Sequence, residues 1–379
     1  MGHAVQITQS DAASAAFVDL PYALYRGEAA WRAPLRMERR AQVDPAKNPA
    51  MDRIGPRFFT AARHGRPVGR IAAFTNADHD ARYGAGDAFF GYFDCEADPA
   101  VEDALLEAAK GWGRERGRSR LIGPGMWSVN EECGLLVNGF EHPPAVMMPH
   151  GRPHQVAAVE RNGFEKVVDM LAYRADLSRG APDTPFMRRL RATARRDDGI
   201  TWRPMDAADF KAEVALAMDI FNDAWSENWG FLPFPQAQID HMAAEMKPIM
   251  YQEGFWVASI DGEPAAFIWM IPDVNEAARG FDGKLLPFNW ARFLWRLKRG
   301  KVAKSRIPLM GLRREHQNTK RGLAAVAEIC AQAFDAGREQ GFTQCELSWI
   351  LEDNEGTKGI CEIAGAVPYK TYRIYGAAL

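Results

Sequence analysis

No uninterrupted apolar run long enough to span a bilayer, about 18 residues or more, occurs in this chain, which argues against a membrane-spanning helix. The N-terminal stretch, Met1 to Thr8, lacks the basic and apolar regions of a secretory signal. Cysteine is scarce. The five thiols, Cys95, Cys133, Cys330, Cys345 and Cys361, have no close metal-like spacing, and their odd number argues against a complete disulfide framework. A reducing cytoplasm is therefore the expected setting, and no metal site or tightly held cofactor is expected. Excess charge of either sign is also missing. With 47 Lys and Arg against 49 Asp and Glu, the chain is not a nucleic-acid binder by overall charge.

What is present is a hydrophobic share of 47% and a charged share of 25%, the balance of a soluble globular protein, over 379 residues that suit two domains better than one. The densest signal lies between residues 306 and 375. A short apolar run ends at Leu312. A basic loop follows, Gln317-Asn318-Thr319-Lys320-Arg321-Gly322-Leu323-Ala324, and a long amphipathic stretch starts near Gly322. The order reads strand, loop, helix, strand, helix, strand. The first N–H groups of a helix have no partner within it, and the helix dipole makes that end positive, so a pyrophosphate fits there. Lys320 and Arg321 add charge to the same loop.

This segment resembles the GNAT acyltransferase superfamily, whose loop usually reads Arg/Gln-x-x-Gly-x-Gly/Ala. Thr319 to Ala324 keep the Gly and the Ala and depart at the first position. The downstream family pattern, Asn-x-x-Ala-x-x-x-Tyr-x-x-x-Gly-Phe, becomes Asn354, Thr357, Cys361, Gly365 and Ala366, with Cys361 where the family's Tyr general acid stands. The resemblance implies acyl-CoA as a co-substrate, with an acyl-carrier protein as the alternative donor. It assigns Leu312, Arg313, Thr319, Lys320, Arg321, Gly322, Leu323, Ala324 and Asn354 to cofactor binding.

Both halves follow one plan. In each, a hairpin with a Gly turn, at His64-Gly65 and at Asp261-Gly262, is followed by strand, long helix, strand, helix and last strand. The fold expected is α/β, with two tandem GNAT-like domains, each a mixed, splayed central sheet flanked by helices. The reading divides the chain into a first domain at 1–177, a linker at 178–199 with a solvated basic helix near Phe186 to Arg196, and a second domain at 200–379 that binds acyl-CoA. The first half has acids from Asp94 to Asp103 where the phosphate loop would be, so it is expected to be degenerate for cofactor binding.

Two segments exceed the basic plan. The first, Ser128 to His150, offers Asn130, Glu131, Glu132 and His150 as substrate-facing groups. The second, Leu285 to Lys301, is aromatic and basic, with seven Lys or Arg and no acid from Arg292 to Arg306. On a helix, Trp290, Phe293, Leu294 and Leu297 share one face and Arg292, Arg296 and Arg299 another, the pattern of a helix in a membrane interface. Trp290 and Phe293 are thus also substrate-side candidates, and an anionic membrane surface is a candidate partner, with a peripheral position on the cytoplasmic membrane.

Acyl transfer to an amine needs a base for the amine, donors for the oxyanion and a proton for the leaving thiolate. The base candidates are Glu315 and His316 just past the fourth strand and Glu346 on the fifth. The acid candidates are Cys361 and, in reserve, Tyr369. Tandem GNAT-like chains of this length with a lipid signal also resemble the bacterial ceramide synthases, which implies a long acyl donor and a sphingoid-type lipid amine. The alternatives are an acetyltransferase for a small soluble amine and a non-catalytic acyl-CoA sensor. A tRNA-dependent aminoacyl transferase would carry a long helical arm, which the sequence lacks.

Overall fold

The computed structural model describes residues 4–379, so Met1, Gly2 and His3 of the N-terminal stretch lie outside it. The chain divides into two compact units that interleave in sequence. The first holds residues 1–170, 278–289 and 370–379, and the second holds 171–277 and 290–369.

The first unit opens with β1 (Gln6–Ser10), α1 (Ala15–Leu24) and α2 (Arg36–Gln42). The hairpin of β2 (Ile54–Arg63) and β3 (Arg66–Asn76) follows. Its turn residues His64 and Gly65 take φ of 51° and 73°, the left-handed region that a tight two-residue turn requires. Then come α3 (Ala77–Tyr83), β4 (Asp87–Cys95), α4 (Pro99–Glu115), β5 (Arg120–Gly123), β6 (Leu135–Asn138) and α5 (Pro153–Arg161). Asp98 caps α4 by accepting the N–H of Ala100, with Pro99 at the first helical position. β1 to β4 pair antiparallel in sequence order, and β4 pairs β5 in parallel. An aromatic core of Phe17, Phe58, Phe74, Tyr92 and Trp127 packs the N-terminal elements onto this sheet.

β7 (Glu165–Asp176) carries the chain into the second unit, which contains α6 (Pro185–Arg196), β8 (Ile200–Pro204), α7 (Phe210–Ala224), α8 (Gln236–Met246), β9 (Phe255–Ile260), β10 (Glu263–Pro272), α9 (Val274–Ala277), α10 (Asn289–Lys298), β11 (Lys304–Leu312), α11 (Lys320–Gln340), β12 (Gln344–Leu351) and α12 (Glu355–Ile363). Within this unit the strands lie in the order β12-β11-β10-β9-β8, antiparallel except for the parallel pair β11 and β12. Phe255, Phe267, Trp269 and Phe334 are fully buried between this sheet and its helices. The last strand, β13 (Val367–Ala378), contributes its residues from Lys370 onward to the first unit, where Tyr375 to Ala378 pair antiparallel with Gly123 to Arg120 of β5.

The segment read as a linker, 178–199, belongs to the second unit, and its basic helix is more than a solvated connector. Arg191 and Arg195 of α6 reach Glu328 of α11 at 3.1 and 3.0 Å, and Glu328 is fully buried. Gln332 adds a third donor. A buried carboxylate is tolerated only when paired in this way. These contacts hold the Glu328 carboxyl below its usual range by hydrogen bonds that outweigh burial. A group whose folded pKa is depressed contributes stability above its unfolded pKa and loses it as the pH falls. Glu328→Gln should therefore destabilise the protein by about 1–3 kcal/mol at pH 7. Denaturant titrations should show this deficit shrinking as the pH falls below the ordinary carboxylate range and through the depressed pKa of the folded state, where the wild-type carboxyl is itself protonated.

Candidate active site

β11 and β12 are paired only from Lys304 to Ile307 against Gln344 to Leu347. Both strands then continue, β11 to Leu312 and β12 to Leu351, with no further pairing between them. On its other side β11 stays bonded to β10 up to Leu312. The two parallel strands thus form a V whose apex is Ile307 and Leu347. At about 3.3 Å per residue, the open arm of β11 is about 16 Å long. One indole spans the opening. Trp225 of α7 donates from Nε1 to the carbonyl of Met310 on β11 at 2.9 Å and meets Trp349 of β12 edge to face, with ring centroids 5.8 Å apart.

A buried polar cluster occupies the apex. Arg306 is in register with Glu346, and their nearest atoms lie 4.0 Å apart. Arg306 donates from Nε to Ser348 Oγ at 3.0 Å and from Nη2 to the Ser348 carbonyl at 2.9 Å. The two oxygens of Glu346 accept from Ser348 Oγ and from the phenol of Tyr369. Arg306, Glu346 and Ser348 are all at most 5% exposed. The cluster unites two residues expected at the site, Glu346 and Tyr369, with two that the sequence reading passed over. Nothing in the alternation of β11 marks Arg306 as different from the other cations of its basic run.

The phosphate loop stands at the other end of the V. Thr319 caps α11, its Oγ accepting the N–H of Gly322 at 3.0 Å. Gly322 is required by space, since a Cβ there would lie 2.1 Å from the carbonyl oxygen of His316. Leu323 and Ala324 continue the first turn of the helix. The arginines of the loop are already matched by acids. Arg321 is gripped by Asp197 and Asp261, Arg313 by Asp219, and Arg314 by Glu227. The expectation that Arg321 lends free charge to a pyrophosphate therefore needs correction, because its guanidinium is committed to two carboxylates. Lys320 is exposed and enters no ion pair among the described residues. Asn354 serves as the cap of α12, accepting the N–H of Thr357 at 3.0 Å.

The remaining candidates are scattered. Glu315 and His316 pair with each other at 3.5 Å in the turn after β11, and the glutamate is well exposed. From Arg306 to that turn is about 20 Å or more along the strand, so these two are not part of the apex cluster. Cys361 is fully buried, and its thiol is pushed well up by burial and by the Cys330 and Cys345 thiols. A thiol with no exposed surface meets no substrate in this conformation. α10 also differs from its expected use. Phe293 is buried and anchors the helix, while Trp290 and Trp295 are 49% and 54% exposed, Trp295 on the side that carries Arg292, Lys298 and Arg299 and Trp290 in the first turn at the margin of the Phe293 side. The three- and four-residue spacing identified the docked face; Trp290 stands at its exposed start, and Trp295 lies off it.

In the first unit the V is closed. After three parallel pairs between β4 and β5, the chain turns back so that the Gly125 N–H donates to the Phe90 carbonyl at 2.9 Å. A Cβ on Gly91 would lie 1.9 Å from the Gly125 oxygen, so this segment fills the place that is open in the second unit. The acids expected to face substrate are partnered. Glu132 pairs with Arg39, Gln42 donates to Glu131 at 3.0 Å, and the Asn130 N–H donates to Ser128 Oγ at 3.2 Å. His150 meets Glu28 at 2.9 Å, and burial lowers the imidazole pKa despite that carboxylate. The fold also gathers Cys95, Glu102 and His154 within 4.8 Å, but Glu102 is already neutralised by His154 and Arg161, both at 2.7 Å.

No protein-family model matches the chain. It is 39% identical to the bacterial ceramide synthase of Caulobacter vibrioides over 364 residues, covering 96% of this chain and 94% of that one. The chain belongs to the bacterial ceramide synthase family. A second relative is protein YghO of Escherichia coli K12, 38% identical over 95% of this chain and 91% of its own. Among solved structures, a tandem GNAT protein from the clavulanic acid biosynthesis pathway superposes with a TM-score of 0.58 at 14% identity, covering 99% of this chain and 98% of that one. The glucosamine N-acetyltransferase region of a fungal multi-domain β-N-acetylglucosaminidase gives 0.55 at 12% identity, covering 99% of this chain and 38% of that one. The fold is therefore that of the tandem GNAT proteins, α/β with a mixed sheet flanked by helices, and the family makes the chain an N-acyltransferase. In the described residues no helix is long and apolar enough to cross a membrane.

Two glycine substitutions separate the loop's geometry from general helix propensity. Gly359, inside α12, has nothing within 4 Å of an added Cβ. Gly359→Ala should raise stability by about 0.5–1 kcal/mol, the ordinary gain of alanine over glycine in a helix. Gly322→Ala should lower the melting temperature, because backbone rather than a side chain must move.

Proposed function

We propose that the second unit transfers a long acyl chain from acyl-CoA to a sphingoid-type amine and so forms a ceramide-like amide. The observation that carries this reading is the V between β11 and β12, open from a phosphate-type loop at its mouth to a buried acid cluster at its apex. A pantetheine arm threaded from the N-terminus of α11 along the unpaired edge of β11 brings its thioester to Glu346 and Tyr369. Glu346 is the group to receive the amine proton, and Tyr369, bonded to it, is the donor for the leaving thiolate. The ceramide synthase named among the relatives, alike over nearly the whole chain, supports the choice of acceptor. The closed V of the first unit supports a single cofactor site.

α10 supports a lipid acceptor held at a membrane. Its exposed surface carries Trp295 with Arg292, Lys298 and Arg299, Trp290 is exposed in its first turn, and Lys301 follows it. Indoles favour the headgroup level, and each cation near an anionic leaflet contributes about 1 kcal/mol. On this reading the protein is cytoplasmic and touches the membrane peripherally, with acyl-carrier protein as the alternative donor.

Three measurements check the proposal. Lys320→Glu should weaken coenzyme A about tenfold by calorimetry, since it reverses the exposed charge at the helix start. An unchanged affinity would move the phosphates elsewhere. With a sphingoid amine, turnover should rise along a donor series from acetyl-CoA to palmitoyl-CoA, because each buried methylene contributes about 0.8 kcal/mol. Acetyl-CoA as the best donor would favour a small-amine acetyltransferase instead. The protein should float with anionic liposomes, and the Trp290→Ala, Trp295→Ala double variant should float less.

A further inference from the structure

We propose that Ser348, gripped by Arg306, is the positioning residue of the site: a one-way hydrogen-bond donor that fixes the Glu346 carboxylate and leaves Tyr369 as the partner through which Glu346 hands its proton on. The inference rests on the acyl-transfer reading and adds to it two residues that no sequence motif marks.

The direction of the hydrogen bonds follows from what each group can do. A guanidinium has five N–H donors and no acceptor, and a serine hydroxyl has a single hydrogen. Arg306 sends its Nε–H to Ser348 Oγ at 3.0 Å, so the hydroxyl hydrogen cannot return to Arg306. The acceptor it meets is Glu346 Oε1. A second N–H of Arg306, on Nη2, reaches the Ser348 carbonyl at 2.9 Å. Arg306 thus holds one residue at two points, a grip that uses the fixed fork of the guanidinium and that an ammonium does not reproduce. Strand register brings the parts together. Arg306 lies opposite Glu346, and Ser348 is two residues further along β12, on the same face as Glu346.

Burial gives the arrangement its weight. Arg306, Ser348 and Glu346 are 3%, 4% and 5% exposed. Bulk water does not compete for these bonds, and a hydrogen bond to an ionised group in a low-dielectric interior is among the stronger ones. The other carboxylate oxygen, Oε2, accepts from the Tyr369 phenol. A phenol both donates and accepts, so Tyr369 can give its proton away and take one back from Glu346. Ser348 cannot, because Arg306 already occupies its oxygen. Tyr369 is also the half-buried member of the cluster, so the chain of hydrogen bonds ends at a partly accessible group. The Arg174 guanidinium of β7 lies over its ring, 5.1 Å from the centroid.

The chemistry balances without a further reactant. The acceptor reacts as the neutral amine. Its lone pair forms the C–N bond to the thioester carbonyl carbon, and one N–H proton passes to Glu346. The C–S bond breaks as the carbonyl re-forms, and the departing thiolate takes the phenol proton of Tyr369. The phenolate then recovers a proton from Glu346 across their hydrogen bond. The products are an amide and a free thiol. Glu346 and Tyr369 regain their starting states, and Ser348 and Arg306 keep theirs throughout.

A double-mutant cycle tests the assignment, with a melting curve and coenzyme A calorimetry on every variant to show that it folds and binds the donor. Ser348→Ala should lower kcat about tenfold to a hundredfold, the range expected for one hydrogen bond to a charged group. The KM for the acyl donor should stay within about twofold of wild type, since the lost contact serves the chemical step. Glu346→Gln should lower kcat by about 10²-fold or more. Because Ser348 acts through Glu346, adding Ser348→Ala to Glu346→Gln should cost less than about threefold more. Arg306→Lys, which keeps the charge and loses the fork, should slow the wild type about as much as Ser348→Ala does and should add little to Ser348→Ala. If the lysine variant does not fold, the cycle between Ser348 and Glu346 decides alone. An unchanged kcat in Ser348→Ala would overturn the proposal. So would an equal loss from Ser348→Ala in the wild-type and Glu346→Gln backgrounds, which is the mark of a merely structural role. A wild type that turned over no acyl donor would instead bring down the acyl-transfer reading, and the assignment with it.

Discussion

The parting of β11 from β12 after Ile307 and Leu347 is the constraint on which the second unit depends. Two parallel strands that separate leave a row of backbone groups without ladder partners, and such groups must be bonded or wet. Part of the answer lies in the fold. Trp225 takes the Met310 carbonyl, and β10 pairs with the outer edge of β11 at Ser305 and Arg306 and again from Leu309 to Leu312, across a bulge. The rest of the inner edge of β11 stays without a ladder partner on β12. At one end of the slot between them the helix α11 begins, and at the other the paired strands carry charge into the interior.

The interior charge is the costly feature. Arg306 and Glu346 are taken out of water at the apex, and Asp273 is buried one row deeper. Burial of ionisable groups gains nothing for stability that well-packed apolar side chains would not match. The arrangement is tolerated because Ser348, Tyr369 and the backbone of β12 satisfy the donors and acceptors. A network of this kind, strained in its charges and placed where an open slot ends, is a common signature of a site that moves protons. Elsewhere in the unit, buried charge is of the other sort. Glu328 is held by α6 far from the slot in sequence and serves to fasten one helix to another.

The first unit shows what the same plan becomes when the slot is filled. Its parallel strands stop pairing after Phe89 and Ile122, but the chain returns at once to β4, and the absence of side chains at Gly91 and Gly123 lets the two backbones approach. Glu132, Glu131 and His150 of the Ser128 to His150 segment are matched by Arg39, Gln42 and Glu28 from the N-terminal elements. Unit one is thereby a packed body with no equivalent opening between its parallel strands.

The sequence alone determined the elements whose signals are local. Turn residues at His64-Gly65 and Asp261-Gly262, the Thr319 cap and the amphipathic period of α11 each act within a few residues, so both hairpins, the loop and the order of strands were legible. Glu346 was legible as a candidate from its residue type on the fifth strand, and Tyr369 only as a reserve for Cys361, which holds the motif position. What only the tertiary structure decided was which charges meet. The pairing of Arg321 with Asp197 and Asp261 joins residues 124 and 60 positions apart, and Arg306 faces Ser348 across 42. A sequence shows how many charges a chain carries and which are near in the chain. Whether a given charge is free for a ligand or neutralised by a distant partner depends on contacts through space, and those are fixed only when the strands take their register.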